Sequence, residues 1–149
     1  MRTEDGERRL NLNSYIGRRE VDETVRRSGI EITILYKDIF MDHQRYEFEI
    51  RNTSDRRILL NNRTNNNTIF LEDENENRYS SRLHEVDQAL LVIERGLPRR
   101  LSIAFDKVYG TQRQIESVHF TNIIMDFERY LETRNIQEAG RLENIRISL

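Results

Sequence analysis

The strongest constraint on the fold is a stretch in which apolar and charged residues alternate strictly. Residues 46–51 read Tyr-Glu-Phe-Glu-Ile-Arg and lead into an Asn-Thr-Ser-Asp turn. Because successive side chains of a β-strand point to opposite faces, one face of this segment enters a core and the other stays in water. The segment therefore predicts a half-buried strand, and it carries little information about chemistry.

Similar apolar segments recur along the chain, and turn-forming residues separate them. Extended segments are predicted at 30–34, 45–51, 58–60, 68–71, 101–105, 118–123 and 145–149. Residues 81–91 fit both helical turns and a strand, and we expect one or two helical turns that lead into a strand. Residues 127–131 predict a short surface helix before Gly140.

Seven or eight short strands at intervals of about 10 residues are typical of two packed sheets rather than of alternating strands and helices. We therefore predict an all-β chain, an immunoglobulin-like antiparallel β-sandwich with one or two short helices. The first 20 residues are polar and charged, which predicts a flexible leader or linker. Residues 21–149 are predicted to form one domain.

Composition excludes several classes of function. The chain has 24 basic and 26 acidic residues, so its net charge of −2 creates no field that attracts nucleic acid or an anionic membrane. Five arginine pairs are interspersed with acidic residues, and neighbouring arginines on a strand point to opposite faces. No window reaches the roughly 18 apolar residues of a membrane span, so no membrane insertion and no signal peptide are expected in this segment.

One turn has the spacing of oxygen ligands for a metal ion. Asp73, Asn75 and Asn77 match the start of an EF-hand calcium loop, in which alternate side chains point at one ion. Arg78 stands where that loop needs glycine, and His84 stands where it needs a bidentate glutamate. A hairpin turn is therefore the favoured interpretation, and a weak calcium site is the alternative.

No motif indicates catalysis or a cofactor. The three histidines, His43, His84 and His119, lack the spacing of metal ligands, and the absence of cysteine excludes disulfides and thiolate metal sites. No nucleophile elbow or glycine-rich phosphate loop occurs. We expect no enzyme activity, no catalytic residues and no cofactor. Four tyrosines could line a ligand face, but core and sheet packing is the favoured interpretation: Tyr36, Tyr46, Tyr79 and Tyr109.

Four segments of the chain carry a family resemblance: residues 21–34, 46–62, 68–80 and 90–105. Together they resemble the bacterial immunoglobulin-like domain of unknown function found in extracytoplasmic lipoproteins and membrane-anchored proteins of Gram-positive bacteria. The resemblance covers residues 21–124. The matching positions are Gly29, Asn52 with Ser54, Asp73 with Tyr79, and Phe105. The family's Pro-Gly turn is replaced here by Gly96-Leu97-Pro98, and the acidic turn lacks the usual glycine.

The resemblance implies an extracytoplasmic or cell-surface location and a non-catalytic role in interaction or structure. The expected partner is another protein, bound through a sheet edge or through the loops at one end. The alternative function is a ligand- or calcium-binding module that uses the loop around Asp73, Asn75 and Asn77.

Overall fold

Two antiparallel sheets face each other across one core in the computed structural model, which describes residues 14–61, 69–81, 91–109 and 114–149. Several sequence-based predictions fall outside these residues: the leader over residues 1–13, the helical turns over 82–90, His84 and the first arginine pair. The all-β prediction is confirmed, since the described helices are two short ones. No helix in the described part of the chain is long and apolar enough to cross a membrane.

The elements follow one another in a simple order. The strands are β1 (Tyr15–Arg27), β2 (Ile30–Phe40), β3 (His43–Asn52), β4 (Ile58–Asn61), β5 (Ile69–Asp73), β6 (Arg78–Ser80), β7 (Leu91–Ile93), β8 (Arg99–Asp106), β9 (Ile115–Ile124) and β10 (Arg141–Ser148). The helices are α1 (Phe127–Thr133) and α2 (Ile136–Ala139). Both follow β9: the helix predicted over residues 127–131 is α1, and α2 is a second short helix before Gly140. Arg134, in the left-handed conformation, ends the first.

Strand pairing divides the chain into a four-stranded and a six-stranded sheet. The first has the order β1-β2-β3-β8, and the second has the order β6-β5-β9-β4-β7, with β10 also paired to β9. Isolated bridges join Asn52 to Arg95 and Ser81 to Phe105, so strands of the two sheets also meet at the side of the sandwich. The polypeptide crosses from one sheet to the other after β3, β7 and β8.

The alternation in β3 determines which face enters the core. Tyr46, Phe48 and Ile50 are fully buried, whereas the charged residues between them are partly exposed. The ring of Phe48 packs edge-on against Phe120 of the opposite sheet, with 5.2 Å between centroids. Burial of apolar surface of this kind is the main favourable term in folding. The predicted face assignment of β3 is confirmed.

The structure differs from the predicted domain boundary on the N-terminal side. Residues 15–20, expected to belong to a flexible leader, form the first half of β1 and pair with β2 from Tyr15 opposite Phe40 to Glu20 opposite Tyr36. Most side chains of this half-strand are exposed, so the apolar alternation that marks the other strands is missing. Backbone pairing and an ion pair from Arg18 to Asp38, at 2.8 Å, hold it instead.

Candidate functional site

The β5–β6 turn contains the three residues predicted as possible calcium ligands. Asp73 Oδ1 accepts hydrogen bonds from the backbone N–H groups of Asn75 and Asn77, each at 2.9 Å. Asp73 Oδ2 accepts from Asn77 Nδ2 at 3.1 Å and from the Tyr79 hydroxyl at 2.7 Å. One buried carboxylate therefore organises the whole turn, and Tyr79 carries this network to the edge of the core.

This hydrogen bonding defines the chemistry of the Asp73 carboxylate. Burial alone raises its pKa, but the bonds from Tyr79, Asn77 and Asn75 outweigh that effect and lower the pKa to about 2. Both carboxylate oxygens already accept from N–H or O–H donors, which a calcium ion would have to displace. The arrangement favours the hairpin-turn interpretation over the calcium site. Within the described residues, no three His, Cys, Asp or Glu side chains are grouped so as to hold a metal ion.

His119 lies in a buried polar cluster on β9. Its Nε2 is 2.9 Å from Ser117 Oγ and 3.4 Å from Glu72 Oε1, and its Nδ1 is 3.2 Å from Asn144 Oδ1. The ring also stacks on Phe70, with 4.6 Å between centroids. The Ser117 side chain is fully buried, so a substrate has no access to its hydroxyl group. We interpret the cluster as a structural connection among β5, β9 and β10.

The other predicted aromatic and histidine positions lie apart from one another. His43 contacts Asp42 at the β2–β3 turn and stacks on Phe40. Tyr46 and Tyr79 are buried, which confirms the packing interpretation for these two tyrosines. Tyr36 instead lies under the Arg18 guanidinium, at 3.8 Å, and Tyr109 is 58% exposed. The four tyrosines therefore do not form one ligand-binding face.

The arginine pairs that the structure describes are engaged with carboxylates. In each of the four described pairs, at least one guanidinium contacts a carboxylate. The contacts are Arg18 with Asp38, Arg26 with Glu31, Arg56 with Asp126, Arg57 with Glu128, and Arg100 with Glu47. The contacts of Arg57 with Glu128 and of Arg56 with Asp126 attach the residues just before β4 to the N-terminal end of α1. These arginines are part of the fold rather than of a continuous basic surface.

Three exposed apolar residues lie at the end of the four-stranded sheet where β1 begins. Tyr15, Ile16 and Met41 are 42%, 45% and 59% exposed. The Tyr15 ring packs edge-on against Phe40 at 5.3 Å between centroids, and the backbone N–H of Met41 donates to the carbonyl of Ser14 at 2.8 Å. We name these four residues, Tyr15, Ile16, Phe40 and Met41, the β1-end patch. Sequence reasoning missed it because the first 20 residues lack a strand pattern.

A buried lysine is the second feature that the sequence did not indicate. Lys37 is 7% exposed, and it lines a cavity of about 550 Å3 between the two sheets. The chain contains only two lysines among its 24 basic residues. This bias toward arginine was the sole available signal, and it does not show which lysine is buried.

Comparison with known proteins adds no family assignment. No protein-family model matches the chain. No curated protein has a significant sequence match to it.

Proposed function

We propose that this chain is a non-catalytic, immunoglobulin-like interaction module of a bacterial surface-associated protein. It binds another protein at the end of the four-stranded sheet where β1 begins. The observation that carries the proposal is the β1-end patch beside an edge strand. The extracytoplasmic location rests on the resemblance of residues 21–124 to the bacterial domain family described above.

The architecture supports an immunoglobulin-like fold in the wide sense. Two antiparallel sheets pack over one apolar core, and the chain crosses between them three times. The sheet order β1-β2-β3-β8 places three consecutive strands side by side. Antibody domains instead combine strands A, B, E and D in one sheet. The proposal therefore concerns the sandwich architecture and not membership among antibody domains.

The edge of β1 offers backbone groups to a partner. Within the described residues, β1 pairs with β2 alone. A strand edge of this kind can take up an extended segment of another protein, with main-chain hydrogen bonds supplying affinity. Register shifts lie between Tyr15 and Gly17 and between Glu20 and Glu23, and the second, with Asp22 at a φ of 53°, separates the two halves of β1. The open segment is therefore Tyr15–Glu20.

The two halves of β1 have different surroundings. In the second half, Arg27 Nη1 donates to the backbone carbonyl of Asn144 in β10, at 2.8 Å, so that half lies against the six-stranded sheet. The first half has exposed apolar side chains at its start and the charged residues Arg19 and Glu20 at its end. Apolar groups with a charged border are typical of protein-binding surfaces, and charges on an edge disfavour indiscriminate strand pairing.

The test is to isolate a partner with this chain and compare two surface variants. Three proteins are used as bait in a cell-surface extract of the organism that encodes the chain. They are the wild type, a double variant that carries Ile16→Glu and Met41→Glu, and the control Leu131→Glu. Leu131 lies on α1 and is 40% exposed, so the control adds a charge at an unrelated apolar position. We expect the wild type and the control to retain the same protein and the double variant to lose it.

Circular dichroism must show that all three proteins are folded. Hydrogen exchange of the isolated complex should then show added protection of those amides in Tyr15–Glu20 that do not already bond to β2, since the partner strand pairs with them. Retention of the partner by the double variant, equal loss in the control, or protection confined to another surface would each contradict the proposal.

A further inference from the structure

Lys37 points into the sandwich because β2 contains an irregularity. The pairing of β2 with β3 shifts in register between Ile34 and Tyr36, so Leu35 is an extra residue and the alternation changes phase. Lys37 then pairs with Tyr46 on β3 and with Arg19 on β1. Its ammonium group is placed on the inner side, beside the Tyr46 hydroxyl.

The buried ammonium group has no counterion among the described residues. Lys37 Nζ donates to the Tyr46 hydroxyl at 3.4 Å, and this hydroxyl donates to Gln44 Oε1 at 2.8 Å. No carboxylate of the described residues lies within ion-pair distance of Nζ, and Arg19 on the adjacent strand adds a second positive charge. A buried charge with one neutral hydrogen-bond partner is unfavourable, and a bound anion would offset that free energy.

The charge persists under neutral conditions. Burial, with a smaller contribution from Arg19, lowers the pKa of Lys37 to about 8. The ammonium form therefore still predominates at neutral pH, and Lys37 is available there as a donor to an anion.

The cavity beside Lys37 has the size of a small-molecule site. Its volume of about 550 Å3 falls within the roughly 300–1,000 Å3 of such sites. Both sheets contribute to its walls, which include the apolar residues Val21, Ile115 and Leu149. A ligand with one charged end and a short hydrocarbon part would match this combination of a buried cation and apolar walls.

Three further charged residues among those that the structure describes limit the kind of anion. Arg19, Glu20 and Glu23 also line the cavity, and all three are largely exposed. These two carboxylates offset the attraction of Lys37 and Arg19, so a phosphate dianion gains little net Coulomb energy for its larger cost of removal from water. A single carboxylate costs less to remove from water and can still accept hydrogen bonds from Lys37 and Arg19.

We propose that this cavity binds a small organic molecule with one carboxylate on a short apolar chain. The carboxylate accepts from Lys37 Nζ and the Arg19 guanidinium, and the hydrocarbon part lies against Val21, Ile115 and Leu149. Arg19 and Glu20 also belong to the β1 segment of the proposed partner surface, but this proposal rests on Lys37 and the cavity, and its test involves no partner protein.

The two lysines make a direct test possible. In the full chain labelled with carbon-13 at lysine, NMR spectra report Lys37 and the exposed Lys107 separately. The probes are hexanoate, the neutral analogue hexanol, and inorganic phosphate. We expect hexanoate to shift the Lys37 Cε signal in a saturable manner and to leave Lys107 unchanged. Hexanol and phosphate should leave both signals unchanged.

Two lysine variants complete the test. Lys37→Met keeps the length of the side chain and removes the buried charge, so it should fold. It should raise the Kd for hexanoate by about tenfold or more, whereas Lys107→Met should leave that Kd unchanged. An unshifted Lys37 signal at about 10 mM hexanoate would overturn the proposal. Equal responses to hexanoate and hexanol, a response to phosphate alone, or unchanged binding by Lys37→Met would overturn it as well.

Discussion

Among single residues, Asp73 makes the free energy of unfolding depend on pH in the acidic range. Its pKa in the folded state is about 2, below the ordinary value of 3.8, because the turn donates hydrogen bonds to the carboxylate. The stabilisation is therefore complete above about pH 4 and is lost as the pH falls toward about 2. Asp73→Asn should lower the free energy of unfolding at pH 7 by roughly 1–3 kcal/mol, through loss of charged hydrogen bonds.

Urea unfolding at several pH values measures both effects. The difference between wild type and Asp73→Asn should shrink as the pH falls below about 4, since wild-type Asp73 then becomes protonated. Glu74→Gln is the matched control, because Glu74 is an exposed acidic residue of the same turn. A difference that stays constant down to about pH 2 would show that the carboxylate charge does not stabilise the turn.

The sequence predicts the turn around Asp73 but not the burial of Lys37, and the reason is physical. The Asp73 turn is local, since its donors come from Asn75, Asn77 and Tyr79, which are close along the chain. The burial of Lys37 depends on a register shift at Leu35, which becomes visible only once β2 is paired with β3. Strict alternation through residues 30–40 places Lys37 on the outer face, and one bulged residue reverses that assignment.

At the element scale, the β1–β2 hairpin depends on glycine at position 29. Gly29 has a φ of 90°, and a Cβ atom added there would lie 2.9 Å from the Cβ of Ser54. The Gly29 carbonyl also accepts from the Thr53 N–H at 2.8 Å, so this hairpin packs against the β3–β4 turn. Gly29→Ala should therefore destabilise the protein by about 1–3 kcal/mol, from backbone strain and steric overlap.

Thermal unfolding compares this variant with Gly17→Ala. Nothing lies within 4 Å of a Cβ atom added at Gly17, which is in the same strand as the hairpin but is not among the residues of positive φ. The Gly17 change should stay within about 0.5 kcal/mol of the wild type. Equal losses in the two variants would contradict the proposed role of the turn.

Element prediction succeeds where one face is buried and fails where neither face is. β3 and β8 were evident because large apolar residues alternate with smaller or polar ones along each sequence, and in β3 every second residue is buried. The first half of β1 has no buried residue, so backbone pairing to β2 alone defines it as a strand. The β1-end patch lies on that undetected segment, which explains why the proposed partner surface was also missed.

At the scale of the whole molecule, the number and spacing of strands predict two sheets but not their order. Pairing within the six-stranded sheet depends on the long β9, which contacts β4, β5 and β10. These partners are distant in sequence, and single-strand patterns do not specify which strand takes which neighbour. The cavity beside Lys37 has the same origin, because its walls come from strands of both sheets.

The two sheets share one core, and the cavity beside Lys37 depends on this packing. Phe48 and Phe120 test it, since they come from opposite sheets and their rings are 5.2 Å apart. A double-mutant cycle is built from Phe48→Leu, Phe120→Leu and the variant with both changes. Urea unfolding measures the free energy of unfolding of each protein. A matched cycle pairs Phe48→Leu with Phe127→Leu, because Phe127 belongs to the separate apolar cluster beneath α1.

We expect the Phe48–Phe120 cycle to give a coupling free energy of about 0.5–1.5 kcal/mol, as for aromatic pairs in contact. The Phe48–Phe127 cycle should be additive within about 0.5 kcal/mol, since these side chains lie in different clusters. Additive effects of Phe48→Leu and Phe120→Leu, with the protein folded throughout, would contradict the packing of the two sheets on each other.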